Sequence, residues 1–203
     1  MQADAEWKVP DAYGYSWLLG FYLGDGCVSG AGRAYQLRVV LDGRYPQVIE
    51  DCCTAVAMVV PHARIHVRPR RVDAGVIVEA SSPLWPRILP QHGPGRKHNR
   101  PIVLAPWQRE IVDTHPRPFL RGLIHSDGCR TANRFKTTLP SGRVAEYAYP
   151  RYFFSNRSAD IRGLFCEYCA RLGIRTTQSN PRNISVAHRD SVAALDAFVG
   201  PKT

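Results

Sequence analysis

The feature that most constrains the fold of this 203-residue chain is an internal repeat. Residues 18–27 read LLGFYLGDGC, and residues 120–129 read LRGLIHSDGC. Each copy ends in Asp-Gly-Cys, and the two aspartates, Asp25 and Asp127, are 102 residues apart. Internal self-similarity is the signature of a repeated structural unit. The chain is therefore expected to fold as two similar halves.

The segments that follow the two copies match in type and order. Apolar periodicity predicts helix, two strands, helix, two strands and a short helix, given twice. After the repeated helix, the first half is expected to contain a strand at 35–41, a helix at 46–59, strands at 64–68 and 75–80, and a helix at 84–89. The second half is expected to contain a strand at 151–154, a helix at 158–172, strands at 175–178 and 183–187, and a helix at 192–199. The first hairpin is predicted to turn near residues 30–33, with the longer stretch 131–150 as its counterpart and a Pro-rich connection at 99–118.

The end of each half carries a second shared feature. Both closing helices end in Gly-Pro followed by a lysine, which is Lys97 in the first half and Lys202 in the second. These lysines lie 72 and 75 residues after Asp25 and Asp127, respectively. The sequence thus predicts two units, residues 1–110 with an N-terminal extension and residues 111–203.

Small residues recur at helical spacing within each repeated segment. Gly20 and Gly24 are four residues apart, as are Gly122 and Ser126, so each pair lies on one face of a helix. A glycine inside a helix costs about 1 kcal/mol relative to alanine, so a packing reason is expected. Small residues at this spacing let two helix backbones approach closely. We therefore expect the two helices to cross at the centre of the molecule.

The crossing would bring Asp25 and Asp127 together at the C-terminal ends of the helices. A carboxylate is disfavoured there by the helix dipole, and two carboxylates about 5 Å apart repel by roughly 3 kcal/mol at an effective dielectric constant near 20. A cation between them would relieve this repulsion, and hard oxygen ligands favour magnesium. An isolated Asp-Gly pair more often caps a helix and turns into a strand. Its repetition in two similar halves favours the metal site.

The two segments resemble the LAGLIDADG signature of homing endonucleases, with Leu, Gly, Asp and Gly at its defining positions. The resemblance extends from about Tyr15 to Lys202. It implies an α+β fold, a pseudo-twofold duplicated αββαββα saddle with two antiparallel sheets and helices packed on one face. It also implies that the strands lie in the major groove of DNA. The sixth signature position, often acidic in the family, is Leu23 in one copy and His125 in the other.

The resemblance also implies roles for particular residues. The implied metal site contains Asp25, Asp127, Gly24 and Ser126, and a lysine near the end of each repeat would support the attacking water. Lys97 and Lys202 match these lysines. For Lys97, which lies in the basic stretch 96–100, a solvated loop that binds phosphates nonspecifically remains an alternative.

The implied function is a monomeric, intron-associated, site-specific endonuclease. It would hydrolyse double-stranded DNA with Mg²⁺ or Mn²⁺ at a long, non-palindromic site, because the two halves differ in sequence. The alternative is a nucleic-acid-binding protein on the same scaffold that has lost cleavage, either a transcriptional regulator or an intron RNA maturase. The presence of Asp25 and Asp127 favours the enzyme, since a pure binding protein gains nothing from acids that face phosphates. A basic structural domain without a nucleic-acid role is a third possibility.

Alternating basic side chains on the predicted strands are candidates for reading DNA. A strand places every second residue on one face, and arginine pairs with guanine, or glutamine with adenine, in the major groove. Without the repeat, the same pattern would indicate only a solvated sheet face. The candidates are Gln36, Arg38, Arg64, His66, Arg68 and Arg70 in the first half, and Arg134, Lys136, Arg143, Arg151, Arg175, Gln178 and Arg182 in the second.

Composition agrees with a partner that carries negative charge. Lysine and arginine number 27 against 17 acids, which gives a formal net charge of +10. Such an excess favours polyanions, because each cation placed at a phosphate releases counterions. With no apolar run of about 20 residues and no signal peptide, the sequence predicts a cytoplasmic protein that is nucleoid-associated when bound to DNA.

The six cysteines are expected to be reduced thiols. Cys27 and Cys129 follow the two Asp-Gly pairs and are predicted to be small buried residues of the duplicated core. Cys166 and Cys169 form a Cys-x-x-Cys motif without a second such motif elsewhere, which argues against zinc.

Overall fold

The computed structural model describes residues 9–31 and 34–203, so part of the predicted first turn lies outside the described residues. The first half contains α1 (Ala12–Asp25), β1 (Gly26–Ala31), β2 (Ala34–Asp42), α2 (Pro46–Val59), β3 (Ile65–Pro69), β4 (Gly75–Ser81) and α3 (Trp85–Ile88). A 3-10 turn (Lys97–Asn99) and α4 (Pro106–Thr114) lead to the second half. The second half contains α5 (Pro116–Asp127), β5 (Gly128–Thr138), β6 (Val144–Ser155), α6 (Ala159–Arg171), β7 (Thr177–Asn180), β8 (Asn183–Val186) and α7 (Arg189–Val199).

The two halves contain sheets of the same topology. The strand orders are β1-β2-β4-β3 and β5-β6-β8-β7, and every pairing is antiparallel. The registers also correspond, since Gly26 pairs with Val39 and Gly128 pairs with Phe154, each glycine being the first residue after the repeated helix. The predicted α+β fold with two antiparallel sheets is confirmed.

Helices cover one face of each sheet. On β2, Leu37, Val39 and Leu41 are buried, while the residues between them point to the other face. Helix α1 is buried continuously from Gly14 to Leu23, as expected for a helix that is apolar on all sides. It packs along α5 at the centre of the molecule. The two repeated helices thus form the interface between the halves.

The stretch 131–150 is not the long connection that the sequence analysis predicted. Most of it belongs to β5 and β6, which pair without interruption from Gly128–Phe154 to Thr138–Val144. The chain reverses within residues 139–143, where Gly142 has φ of +79°, a conformation that favours glycine. The outer part of this hairpin is exposed on both faces. It therefore lacks the apolar alternation that identifies a half-buried strand.

Two other segments differ from the prediction, the Pro-rich stretch 99–118 and the end of α3. The Pro-rich stretch 99–118 contains α4, because Pro106 occupies the first turn of the helix, where proline is tolerated. The predicted division between residues 110 and 111 falls inside this helix. Helix α3 ends at Ile88, so Gly93 and Pro94 belong to a loop and do not end a helix.

Among the described residues, no helix is both long enough and apolar enough to cross a lipid bilayer.

Candidate active site

The two repeated helices cross where their small residues meet. A Cβ atom added to Gly20 would lie 2.9 Å from the backbone nitrogen of Leu123 and 3.0 Å from the Cα of Gly122. A Cβ atom added to Gly122 would in turn lie 2.9 Å from the nitrogen of Phe21 and 3.0 Å from the Cα of Gly20. None of these four distances leaves room for a side chain, so the predicted close approach of the two helices is confirmed.

The crossing places the two aspartates beside each other. Asp25 and Asp127 are the last residues of α1 and α5, and the next residue of each chain segment begins a strand. A Cβ atom added to Gly24 would lie 3.3 Å from Oδ2 of Asp127, so this carboxylate lies against the end of the opposite helix. The acids of the two halves therefore share one site.

Burial acts on both carboxyl groups, and repulsion by the neighbouring carboxylate acts on Asp25 as well. Burial raises the pKa of Asp25, and the neighbouring Asp127 raises it further, to about 7; Lys97 and Lys202 oppose the rise. Burial also raises the pKa of Asp127, against a hydrogen bond from Asn156 that lowers it. The site thus holds two carboxylates whose charges are poorly solvated, a condition that a cation would relieve.

Lys97 reaches this site from the loop after α3. Its Nζ donates to the backbone oxygens of Tyr22 and Gly24, the latter at 3.1 Å, and lies 4.9 Å from the centre of the Tyr22 ring. These carbonyls belong to the last turn of α1, where the helix dipole favours a cation. Burial lowers the pKa of Lys97 to about 8, although both aspartates act in the opposite direction.

Lys202 occupies the matching position in the second half. Its Nζ donates to the backbone oxygens of Gly128 at 2.5 Å and Ser126 at 3.5 Å. Burial lowers its pKa, and Asp25 opposes this effect. The backbone oxygen of Thr203 accepts a hydrogen bond of 2.8 Å from the amide of Gln47 on α2, which holds the segment that carries Lys202 against the first half.

Two positioning residues were not predicted from the sequence. Arg100 donates from Nη1 to the carbonyls of Gly93 at 3.0 Å and Pro94 at 2.9 Å, so it fixes the loop that carries Lys97. Asn156 donates from Nδ2 to Oδ2 of Asp127 at 2.5 Å. No repeated pattern could reveal Asn156, because the register places Leu41 at the matching position of the first half.

The donor atoms at this site fit a hard divalent cation. Two carboxylates are available as oxygen donors, with the backbone oxygens of Gly24 and Ser126, which also accept hydrogen bonds from Lys97 and Lys202. Mg²⁺ is commonly bound by one or two carboxylates together with substrate phosphates. Within residues 9–31 and 34–203, no side chain donates a hydrogen bond to the Asp25 carboxylate, so its oxygens are free to bind a cation. The same residues contain no group of three or more His, Cys, Asp or Glu side chains that could hold a metal ion. The protein alone therefore offers only part of a coordination shell.

The face of the first sheet that the helices leave uncovered carries several of the predicted DNA-reading residues. Arg38 on β2 lies directly opposite Glu79 on β4, and Glu79 lies opposite His66 on β3. Gln36 and Arg68 share this face by alternation along their strands. Arg64 and Arg70 flank β3 on either side.

The second sheet presents a different chemistry on the corresponding face. Arg151 lies there with three exposed aromatic residues, Phe135, Tyr147 and Tyr149. The rings of Phe135 and Tyr147 are stacked with centroids 5.3 Å apart. Aromatic residues of this kind were not among the predicted DNA contacts.

The remaining candidates of the second half lie elsewhere. Arg134 and Lys136 lie on the other face of the β5–β6 hairpin, because they alternate with Phe135. The contact of these two residues with DNA stays a prediction. The same is true of four other residues, which lie in turns or on or next to the outermost strand. These are Arg143 and Arg182 in turns, Arg175 before β7, and Gln178 on β7.

The prediction for Cys27 and Cys129 was wrong, because both are exposed. Cys27 lies opposite Arg38 and Cys129 lies opposite Phe153, on the sheet faces that point away from the helices. The sequence correctly related the two cysteines by symmetry, but a residue next to a helix end can point to either face of the strand that follows.

Comparisons with known proteins identify the architecture. No protein-family profile matches the sequence, and no curated protein matches it. The structure of the I-LtrWI LAGLIDADG homing endonuclease bound to target DNA is similar, with a TM-score of 0.60 and 8% identity over 94% of this chain and 85% of that one. I-DmoI in complex with DNA and Mn gives a TM-score of 0.58 and 14% identity over 95% of this chain and all of that one.

The chain has the LAGLIDADG homing endonuclease fold. The LAGLIDADG meganuclease I-AabMI bound to uncleaved DNA is a further neighbour, at a TM-score of 0.56 and 12% identity. The LAGLIDADG fold accounts for the duplicated αββαββα order and for the central pair of helices. At such low identity, the function of this chain depends on its own residues.

Proposed function

We propose that the protein is a site-specific endonuclease that cuts double-stranded DNA with Mg²⁺ or Mn²⁺ held between α1 and α5. The observation that carries this proposal is the convergence of Asp25, Asp127, Lys97 and Lys202 at one point of the helix crossing. A purely structural crossing has no need of two partly buried carboxylates and two partly buried ammonium groups. The neighbours crystallised with DNA, among them I-LtrWI and I-DmoI, support the same substrate class.

The residues that would hold the metal are Asp25 and Asp127, with the backbone oxygens of Gly24 and Ser126. When bound, a divalent metal would polarise the scissile phosphate and lower the pKa of a water molecule. Asn156 orients the Asp127 carboxylate through its hydrogen bond. Because one acid comes from each half, the arrangement suits one cut in each strand.

The two lysines would stabilise negative charge on the substrate and transfer protons. An ammonium group close to the scissile phosphate stabilises the negative charge that develops during hydrolysis. With a pKa of about 8, Lys97 exchanges its proton near neutral pH, so it is suited to accept a proton from attacking water or donate one to the leaving oxygen. The matching position of Lys202 gives each half its own lysine.

DNA would lie along the uncovered faces of the two sheets, with the acids between them. These faces differ in sequence, since the first carries Arg38, His66 and Arg68 and the second carries Arg151 and aromatic residues. A single chain with two different faces favours a long, non-palindromic target and activity as a monomer. The net charge of +10 would supply general attraction to the phosphates.

The decisive experiment is selection of cleaved duplexes from a randomised DNA library in the presence of Mg²⁺. We expect the wild-type protein to cut a preferred site, and Asp25→Asn and Asp127→Asn to abolish cutting. Both variants should keep or increase affinity for that site, because each removes a negative charge near phosphates. Asp190→Asn is the matched control, since Asp190 is an exposed acid in the first turn of α7.

Each outcome separates the candidate functions. Wild-type cutting by either of the two Asn variants would contradict the metal site. Binding without cutting by the wild-type protein would favour the second candidate, a regulator or maturase on the same scaffold. Affinity that does not change with salt concentration would argue against nucleic acid altogether.

A further inference from the structure

A row of polar side chains crosses the uncovered face of the first sheet. The register places Cys27 opposite Arg38, Arg38 opposite Glu79, and Glu79 opposite His66, so one residue comes from each of the four strands. Arg68 lies two residues beyond His66 on β3 and therefore on the same face. Glu79 is thus an acid at the centre of the most basic part of this face.

Glu79 pairs with two arginines at once. Its Oε2 lies 3.1 Å from Nη2 of Arg68 and 3.6 Å from Nε of Arg38. The Glu79 side chain is only 14% exposed, whereas those of Arg38 and Arg68 are 42% and 45% exposed. The carboxylate therefore lies beneath the two guanidinium groups, which keep part of their surface open to solvent.

We propose that Glu79 is a positioning residue that fixes Arg38 and Arg68 as readers of two guanines in the half of the target bound by the first sheet. This inference rests on the proposed function. A fixed guanidinium loses less conformational freedom when it binds, and arginine pairs with O6 and N7 of guanine in two parallel hydrogen bonds. The negative charge also reduces the attraction of the arginines to phosphates, which carry no sequence information.

The second sheet lacks this arrangement. Ser185 is the residue that corresponds to Glu79. It lies opposite Phe153 and Thr177 on the neighbouring strands, as Glu79 lies opposite Arg38 and His66. Arg151 donates from Nη2 to Oγ of Ser185 at 2.6 Å, and its guanidinium lies 4.5 Å from the centre of the Phe153 ring. A neutral hydroxyl does not offset the charge of Arg151, so the guanine preference is expected in the first half-site only.

The test compares wild-type protein with Glu79→Gln in a binding selection from randomised duplex DNA in EDTA, where cutting is suppressed. For the wild type, replacing either preferred guanine should weaken binding by roughly 5- to 150-fold. In Glu79→Gln, this penalty should shrink at both positions, while affinity for unrelated DNA should stay equal or rise. The slope of log K against log salt should steepen by up to about 0.9, because one more cation is free to contact phosphate.

Two further variants separate positioning from charge and from folding. Glu167→Gln removes the same charge from a glutamate on α6 that also pairs with two arginines, Arg109 at 2.6 Å and Arg171 at 3.1 Å, and base preference should not change. Arg68→Lys keeps the charge but loses the paired hydrogen bonds, so preference should fall at one guanine only with an unchanged salt slope. Circular-dichroism melts verify that all variants are folded.

The possible failures are distinguishable. If wild type selects a site whose guanine preferences are the same in Glu79→Gln, the role of Glu79 is refuted while the proposed function stands. The same holds if the first half-site contains no preferred guanines. If wild type selects no duplex at all, both proposals are refuted.

Discussion

Replacing Asp25 with asparagine should make the protein more stable at the same time as it abolishes cutting. In the unfolded chain, the Asp25 carboxyl ionises near its usual pKa of 3.8, but in the fold its pKa is about 7 because of burial and the neighbouring Asp127. Between these values the folded protein binds more protons than the unfolded chain. Stability therefore falls as the pH rises from 4 to 7, and it remains low above pH 7. Asparagine does not ionise, so Asp25→Asn escapes this loss.

The magnitude follows from the change in pKa. Each pKa unit corresponds to about 1.4 kcal/mol, so a rise from 3.8 to about 7 destabilises the ionised protein by on the order of 4 kcal/mol at pH 8. At pH 5, the folded carboxyl is still protonated, and the same reasoning gives less than half of this destabilisation. For a chain of this size, about 1 kcal/mol changes the melting temperature by roughly 2 to 4 °C. The gap in melting temperature between variant and wild type should therefore more than double between pH 5 and pH 8.

Thermal and urea unfolding in EDTA, at pH 5 and pH 8, would measure this gap without bound metal. Asp42→Asn is the matched control with the opposite sign. Hydrogen bonds from Arg44 lower the pKa of Asp42 to about 2, so its contribution to stability is present above pH 4 and is lost as the pH falls below that value. Asp42→Asn should thus lower stability slightly at pH 8. A pH-independent gap for Asp25→Asn, or a variant less stable than wild type at pH 8, would refute the interpretation of the site as two poorly solvated carboxylates.

Three further predictions concern the crossing, the lysine and the cation. Gly122→Ala should destabilise the protein by about 1 to 3 kcal/mol, because its methyl group meets the backbone of α1. Gly163→Ala is the control: its methyl group meets nothing within 4 Å, so it should stabilise the protein by up to about 1 kcal/mol. Equal free energies of unfolding in urea for the two variants would contradict the close crossing. Lys97→Met should slow single-turnover cleavage by roughly 10²-fold or more, while affinity for the target changes only a few-fold. An unchanged cleavage rate would show that Lys97 has no part in the cleavage step. Millimolar Mg²⁺ should raise the melting temperature of wild type more than that of Asp25→Asn, and equal increases would contradict metal binding by the carboxylates.

The sequence predicted the centre of the molecule more accurately than its edges. Each repeated segment carries its own packing signal, so Gly20 and Gly122 together predicted the crossing, and the crossing predicted that Asp25 and Asp127 would meet. Helix α2 begins and ends where the sequence analysis placed it, because Pro46 marks its first turn and its apolar residues recur at helical spacing.

The edges lacked comparable signals. The β5–β6 hairpin is exposed on both faces, so no alternation of apolar residues revealed its outer strands. Helix α4 begins at a proline that was interpreted as part of a connection. Asn156 and Glu79 reach their partners from strands or loops that are distant in sequence, and neither has a counterpart of the same type in the other half. Only the folded chain brings such residues together.

The close crossing, the acids and the lysines are linked by electrostatics. The crossing brings together the C-terminal ends of α1 and α5, and with them the negative ends of two helix dipoles and two carboxylates. Lys97 and Lys202 offset these charges by binding the carbonyls of the last turns, at positions 24 and 126 among others. Removal of Asp25 would leave two ammonium groups against one carboxylate, and the pKa of Lys97 would fall further below 8, because Asp25 now helps to keep it protonated. If Lys97 acts as a charged ammonium group, cutting lost in Asp25→Asn would then reflect a neutral Lys97 as well as a missing metal ligand. Assays at pH 6, where the lysine regains its proton, would separate the two effects: activity that stays absent at pH 6 assigns the loss to the carboxylate itself.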